Sequence, residues 1–254
     1  MDMAEPPVSL DRLTALTPAR VRLGRSGSAM PTSALLAFDL DHACARDAVH
    51  AELDAKGLAE ALGRQVITVH SRADDRATYL RRPDLGRLLR DEDADKLITG
   101  DHRLAIVIAD GLSATAVHAH AASVAALLIE RLADWRIAPV VVARQARVAI
   151  GDAIGVLLGA ELVVVLIGER PGLSAPDSLG AYLTWQPRPG RLDSERNCVS
   201  NIRPPHGLSY ATAANTIARL LRAAHARGLT GIGLKDGADL IPSLPRPADR
   251  LPSA

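Results

Sequence analysis

A glycine-rich loop with an adjacent acid and base is the stretch of this sequence best suited to ligand chemistry. It reads Gly168-Glu169-Arg170-Pro171-Gly172-Leu173 and directly follows six apolar residues, Leu162 to Ile167. That run is short for a helix and does not alternate, which predicts a parallel strand buried on both faces. Open α/β sheets bind ligands where such strands end, so we expect a binding site here. The alternative is a surface turn with a solvated charge pair.

Cys198 is the second candidate, and three roles stay open for it. It stands in a short apolar stretch, Cys198-Val199-Ser200-Asn201-Ile202. A thiol there could act as a nucleophile beside a base, pack against its neighbours, or line the wall of a ligand site.

Acid and histidine pairs elsewhere favour ordinary helix contacts over metal binding. Asp41 and His42 are adjacent in a predicted helix and so do not face each other. His118 and His120 are two residues apart and point to different faces of a helix. We therefore assign no metal-binding residues.

Several common site motifs are absent. The sequence has no G-x-x-x-x-G-K-[ST], no G-x-S-x-G and no G-x-G-x-x-G, and Gly231-x-Gly233 is too short for a dinucleotide fingerprint. This argues against a stand-alone nucleotide-dependent enzyme. No histidine has an aspartate two residues before it, so the D-x-H-x-x-G motif of methylmalonyl-mutase-type cobalamin domains is absent too. A corrinoid bound here would keep its own base on cobalt or take its axial ligand from elsewhere.

The composition limits the class of protein. The chain has 254 residues, a net charge of +1, and 48% apolar but only 2% aromatic residues. The charge argues against nucleic-acid or membrane partners, and no apolar run reaches the roughly 18 residues of a membrane helix. Two distant cysteines, Cys44 and Cys198, fit free thiols in a reducing cytosol. The acidic N-terminus lacks the features of a signal peptide.

Alternating elements predict a Rossmann-like α/β domain. Strands are expected at 104–109, 137–143 and 162–167, with helices at 113–131 and 151–158 between them. This βαβαβ unit should have right-handed crossovers and a mostly parallel sheet. The carboxyl ends of parallel strands share one edge, so three loops should gather there: Asp110-Gly111, Arg144 to Val148, and Glu169 to Leu173.

Together with the Rossmann-like domain, the whole sequence is predicted to form four segments. Residues 1–30 are a loosely ordered arm with a short helix from Leu10 to Val21, and 31–100 are a mainly helical, partner-facing segment. Residues 101–240 form the Rossmann-like domain, and 241–254 a flexible proline-rich tail. Three further helices are expected, at 34–53, from Pro83 and at 210–226. Four further strands are expected, at 65–69, 181–185, 198–202 and 232–234.

Several motifs together resemble the small (light) subunit of ethanolamine ammonia-lyase. They are Thr32-x-x-Leu35-Leu36-x-Phe38, Tyr79-Leu80-x-Arg82-Pro83-Asp84-Leu85-Gly86-Arg87, Ile108-Ala109-Asp110-Gly111-Leu112-Ser113, Ala146-Arg147-Val148-Ala149-Ile150, Ile167-Gly168-Glu169-Arg170-Pro171-Gly172-Leu173 and Arg196-Asn197-Cys198-Val199-Ser200-Asn201-Ile202. The G-E-R-P-G-L and C-[IV]-S-N-I motifs are specific in this order and spacing. The resemblance covers about residues 18 to 235.

The resemblance implies an adenosylcobalamin-dependent lyase that converts ethanolamine to acetaldehyde and ammonia in ethanolamine catabolism. The family's large subunit, a TIM barrel, carries the radical chemistry, while the Rossmann-like small subunit covers the other side of the base-on cobalamin. A higher hetero-oligomer is implied, in the cytoplasm, free or inside a bacterial microcompartment. Family cobalamin-binding positions map onto Val148, Glu169 and Cys198. No catalytic residue is implied in this chain, and the competing interpretation is a non-enzymatic Rossmann-like scaffold that binds a partner protein.

Overall fold

The computed structural model of the chain describes residues 24–234 as an α/β fold around one six-stranded sheet. The strands are β1 Ile67–His70, β2 His102–Ala109, β3 Val141–Arg144, β4 Ala160–Gly168, β5 Leu179–Trp185 and β6 Asn197–Ile202. The helices are α1 Thr32–His50, α2 Ala55–Leu62, α3 Arg76–Arg81, α4 (the continuous run Ala114–Ala116, Val117–Ala121 and Ala122–Arg131), α5 Ile150–Leu157 and α6 Tyr210–Arg227.

The sheet is mixed, which corrects the prediction of a mostly parallel sheet. Its order is β1-β3-β2-β4-β5-β6, and β1 to β4 are parallel to one another. β5 pairs antiparallel with β4, and β6 antiparallel with β5. The reason lies in the connections: residues 169–178 and 186–196 contain no crossover helix, and parallel strands need one.

Strand β4 is buried on both faces, as its unbroken apolar run predicts. Leu162, Val164 and Leu166 pack in one cluster with α4 and α6, while Val163 and Val165 pack on the other face under α5. A strand in this position has no wet face, so its sequence cannot alternate. The predicted βαβαβ unit is confirmed as β2, α4, β3, α5 and β4.

Two smaller predictions are wrong. No regular helix starts at Pro83, where the chain forms only a 3-10 turn at Leu85–Arg87. The expected last strand at 232–234 is also a turn, Gly231–Gly233. Gly231 has a φ of +82°, and a Cβ there would lie 2.2 Å from the Ser194 carbonyl oxygen. Only glycine therefore lets this turn pack directly against the main chain at Ser194.

Helix α1 is mostly exposed, and only Ala48 along it is buried. Its apolar side chains Leu35, Leu36 and Leu40 are exposed.

The partner-facing role of residues 31–100 stays a prediction, as does the four-segment division. The predicted helix at 10–21 and the predicted tail at 241–254 lie outside the described residues. Within residues 24–234, no helix is both long and apolar enough to cross a bilayer.

Candidate functional site

The three loops expected at the carboxyl edge of the parallel strands do gather there. The Asp110 carboxylate, which follows β2, accepts hydrogen bonds from the backbone N–H groups of Gln145 and Ala146, both at 2.8 Å. Leu112 N–H donates to the Gly168 carbonyl at 3.0 Å. Burial raises the pKa of Asp110 above its ordinary value. Asp110 therefore serves to join the loops after β2 and β3.

The crevice between β2 and β4, where such sheets often bind ligands, is filled by main chain. A Cβ on Gly111 would lie 2.2 Å from the Gly168 carbonyl oxygen, and one on Gly168 would lie 2.0 Å from the Ser113 carbonyl oxygen. Only glycines permit backbones to approach this closely. The chain after Gly168 is thus directed away from the crevice and toward β5 and β6.

Glu169 lies over the ends of these two antiparallel strands. Its carboxylate accepts hydrogen bonds from the hydroxyls of Ser178 and Ser200, both at 2.5 Å, and from Asn201 N–H at 3.3 Å. A Cβ on Gly180 would lie 2.9 Å from Glu169 Oε1, so the glycine makes room for the carboxylate beside β5. Glu169 is held in one place and keeps lone pairs for a further donor.

Cys198 lies on the same side of the sheet, opposite Tyr182 in the β5–β6 register. Desolvation by the surrounding protein raises the pKa of the Cys198 thiol and of the Tyr182 phenol. A hydrogen bond from Tyr182 opposes this for Cys198, whereas the nearby Glu169 carboxylate adds to the rise for both. Cys198 and Ser200 are exposed, because α5 packs against β4 and β2 while α6 covers the opposite face of β5 and β6. We call the surface formed by Glu169, Tyr182, Cys198 and Ser200, with the buried Gly180 beneath Glu169, the β5–β6 face.

Val148 borders this face from the loop after β3. It is half-buried and lines a cavity of about 390 Å³ together with Tyr182, the residue opposite Cys198. The structure therefore brings the three predicted site residues to one surface, with Tyr182 between Val148 and Cys198. Sequence reasoning did not identify Tyr182, because its position depends on the register of β5 with β6.

The loop that carries Val148 is held by a stacked aromatic ring. Buried Tyr79 lies between the guanidinium groups of Arg76 and Arg147, at 4.8 and 4.5 Å from the ring centre. Its hydroxyl donates to the Ala146 carbonyl at 3.2 Å. A Cβ on Gly86 would lie 2.8 Å from the Tyr79 ring, and the Gly86 carbonyl accepts from Arg147 N–H at 2.7 Å. The motif from Tyr79 to Arg87 thus positions the Val148 loop.

The start of β6 is held by a buried ion pair that sequence reasoning also missed. Arg196 donates to both carboxylate oxygens of Asp152, on α5, at 2.7 and 2.6 Å, and to Thr184 Oγ1 at 2.7 Å. The two charged side chains are only 1% and 2% exposed. Arg196 begins the motif that ends at Ile202, but nothing in the sequence indicates that its partner is Asp152. This pair links α5 to the strand that bears Cys198.

The two histidines considered as metal ligands in the sequence, His118 and His120, have hydrogen-bond partners within the fold. His118 Nε2 accepts from Asp54 N–H at 2.9 Å, and His120 Nδ1 lies 2.9 Å from the Tyr210 hydroxyl. Within residues 24–234, histidine, cysteine and acidic side chains form no group of three that could hold a metal ion. The groups present on the β5–β6 face, namely the Glu169 carboxylate, the Ser200 hydroxyl and the Cys198 and Tyr182 side chains, can form hydrogen bonds and apolar contacts.

We expect the Cys198 thiol to be slow in alkylation at neutral pH. Its raised pKa keeps it protonated, and only the thiolate reacts. In a Cys44→Ala background, which leaves one thiol, the rate with iodoacetamide should still rise with pH beyond about 8.5, the pKa of a free cysteine. The same variant unfolded in urea serves as control and should level off near that value. A folded-state rate that levels off below it would contradict the raised pKa.

Comparison with known proteins finds relatives along nearly the whole chain. Residues 8–235 match the model of the family described as Ethanolamine ammonia-lyase light chain (EutC). The ethanolamine ammonia-lyase small subunits of Rhodopseudomonas palustris and Bradyrhizobium diazoefficiens are each 58% identical, over 242 and 240 residues, covering 91% of this chain and 92% of the relative. That of Xanthomonas campestris is 54% identical over 240 residues, covering 90% of this chain and 88% of the relative. The chain therefore belongs to the ethanolamine ammonia-lyase light-chain family.

Proposed function

We propose that this chain is the small subunit of a two-subunit lyase that releases ammonia from ethanolamine, and that its β5–β6 face holds adenosylcobalamin against the large subunit. Family membership supports the lyase assignment. The observation that carries the cofactor assignment is the position of Val148, Glu169 and Cys198. They come from three separate loops and strands, yet they border one uncovered surface.

The residues of this face fit the chemistry of a cobalamin. That cofactor is large and carries amide donors around its rim, so it needs acceptors, apolar walls and an open surface rather than a closed pocket. Glu169 Oε1 accepts one hydrogen bond within the chain and has capacity for another. Val148 and the protonated Cys198 thiol offer small, uncharged contacts.

The chain's own part in the reaction is to bind and orient the cofactor. When bound, adenosylcobalamin supplies the radical chemistry, which belongs to the cofactor and the large subunit. Glu169 is fixed by Ser178 and Ser200, so its acceptor atoms are placed before the cofactor arrives. Preorganised contacts of this kind lower the cost of ordering on binding. No catalytic acid or base is assigned to the β5–β6 face.

Three further parts of the proposal come from the family resemblance. The partner is a TIM-barrel large subunit in a higher hetero-oligomer, and cobalamin keeps its own base on cobalt. The location is the cytoplasm, free or inside a bacterial microcompartment. We also assign the parallel strands β1 to β4, with α4 and α5, as the Rossmann-like part of the fold.

Replacing Glu169 by glutamine should weaken cobalamin binding about tenfold or more, since a hydrogen bond to a charged group contributes roughly 1.5–3 kcal/mol. The measurement is equilibrium dialysis of the co-purified two-subunit complex with cobalamin, followed by its visible absorbance. Glu60→Gln, on the exposed side of α2, is the matched control and should leave the affinity unchanged.

Gel filtration of the same complexes separates the two competing functions. If Glu169→Gln lowers the yield of assembled complex while the complex that does form binds cobalamin with unchanged affinity, the chain is better described as a partner-binding scaffold. A wild-type complex that binds no cobalamin would overturn the cofactor assignment altogether.

A further inference from the structure

Two arginines without ion-pair partners line the cavity that borders Val148. Arg87 comes from the 3-10 turn Leu85–Arg87, and Arg147 from the loop after β3. Within residues 24–234, neither guanidinium lies within ion-pair distance of a carboxylate, and the buried Nε of Arg147 has no hydrogen-bond partner. Guanidinium groups left free on one cavity wall favour an anionic ligand.

The two carboxylates that line the same cavity cancel only part of this charge. Asp84 is held by Arg82 through two hydrogen bonds, at 2.9 and 2.7 Å, which lower the pKa of its carboxyl group. Asp193 is exposed, and the Arg196 guanidinium 3.7 Å from it is already paired with Asp152. Arg87 and Arg147 together therefore outweigh the single carboxylate of Asp193, and the cavity wall keeps a net positive charge for a ligand.

A helix end adds to the same positive field. Ala149, the residue before α5, lines the cavity, so the N-terminal end of that helix lies beside the two arginines. The N-terminus of a helix carries a partial positive charge that favours anions. Asp152, the acid in the first turn of α5, is already paired with Arg196. The cavity volume of about 390 Å³ lies within the roughly 300–1,000 Å³ of small-molecule sites.

We propose that this cavity binds the phosphodiester of the cofactor's nucleotide tail through Arg87 and Arg147. The inference rests on the proposed function, because the cavity opens beside Val148 at the border of the β5–β6 face. Cobalamin carries a single phosphodiester, and arginine binds phosphate oxygens through two parallel hydrogen bonds. Arg147 is already oriented by its stacking on Tyr79, so it offers its outer edge without further ordering.

The test compares two corrinoids that differ in the nucleotide tail. Cobalamin has the phosphodiester, whereas cobinamide lacks the whole nucleotide. Both are titrated into the two-subunit complex by visible absorbance, with wild type, Arg87→Gln and Arg147→Lys. Arg64→Gln is the matched control, because Arg64 is exposed and lies outside the cavity. Loss of one charged hydrogen bond should weaken cobalamin binding about 10- to 100-fold. Cobinamide binding should change by less than about threefold.

Each outcome separates this inference from the proposed function. An equal loss for both corrinoids, or no loss for cobalamin, overturns the phosphodiester site and leaves the cofactor assignment standing. Failure of Arg87→Gln to assemble with the large subunit also overturns it, because the arginine would then face a partner side chain. A wild-type complex that binds neither corrinoid overturns the proposed function itself. Arg147→Lys keeps the charge, so it should fold and lose less affinity than Arg87→Gln if the site is correct.

Discussion

Replacing Asp152 by alanine should lower the free energy of unfolding by about 3–5 kcal/mol, the usual cost of leaving one member of a buried ion pair alone. Asp152 and Arg196 are almost completely buried and share two hydrogen bonds of 2.7 and 2.6 Å. Without the carboxylate, Arg196 would keep a charge in the core with Thr184 Oγ1 and the Arg191 carbonyl as neutral partners. Its remaining carboxylate, Asp193, is 3.7 Å away and 77% exposed, so it offsets little of this cost. The measurement is urea unfolding of the full chain.

An exposed ion pair of similar geometry is the control. Arg222 and Asp134 lie 2.6 Å apart, but their side chains are 47% and 58% exposed. Asp134→Ala should therefore cost less than about 1 kcal/mol. A double variant, Asp152→Leu with Arg196→Met, should be more stable than Asp152→Ala because it removes both charges. Equal costs for the two single variants would show that burial of the Asp152–Arg196 pair contributes nothing.

The second large effect is expected for Gly111→Ala. Its φ of +55° costs a side chain about 1–2 kcal/mol, and the clash of the new Cβ with the Gly168 carbonyl should add about 1–3 kcal/mol. The displaced loop would carry Glu169 with it, because Glu169 follows Gly168 directly. We therefore expect both a lower unfolding free energy and weaker cobalamin binding by the two-subunit complex.

Gly63→Ala isolates the contribution of the close contact. Gly63 has nearly the same φ, +61°, but nothing lies within 4 Å of a Cβ built on it. In the Gly63→Ala variant, the free energy of unfolding should fall only by the cost of the positive φ, about 1–2 kcal/mol, and cobalamin affinity should be unchanged. If Gly111→Ala and Gly63→Ala were equally stable, the packed crevice between β2 and β4 would not be needed to place Glu169.

The parallel half of the fold could be predicted because its signals are local. The unbroken apolar run from Leu162 to Ile167 requires burial on both faces, and glycines and loops mark its ends. The position of Glu169 after that strand follows directly. The direction of the strands after Glu169 does not follow from local signals, because it depends on whether each connection crosses the sheet. That is why β5 and β6 were expected in a mostly parallel sheet and are in fact antiparallel.

The parts of the site that escaped sequence reasoning all depend on contacts between distant residues. Tyr182 meets Cys198 only through strand register, and Tyr79 reaches Arg147 only through the packing of its loop. The position of Cys198 was expected from family resemblance alone, since a thiol in a short apolar stretch is equally suited to packing. Charge patterns along the chain likewise give no sign that Arg196 pairs with Asp152.

The position of β6 at the end of the sheet order has a consequence for self-association. An edge strand presents unpaired backbone groups that can recruit a strand from another molecule. Here Leu208 N–H donates to the Asn201 carbonyl at 2.7 Å, and the Leu208 carbonyl accepts from Arg203 N–H at 3.3 Å, so the chain covers the end of its own edge. Asn201, with a φ of +58°, and the register shift between Leu179 and Ala181 bend the remaining ladder. A short, bent edge is a poor template for aggregation, so the β5–β6 face can stay exposed to solvent without promoting self-association of the subunit.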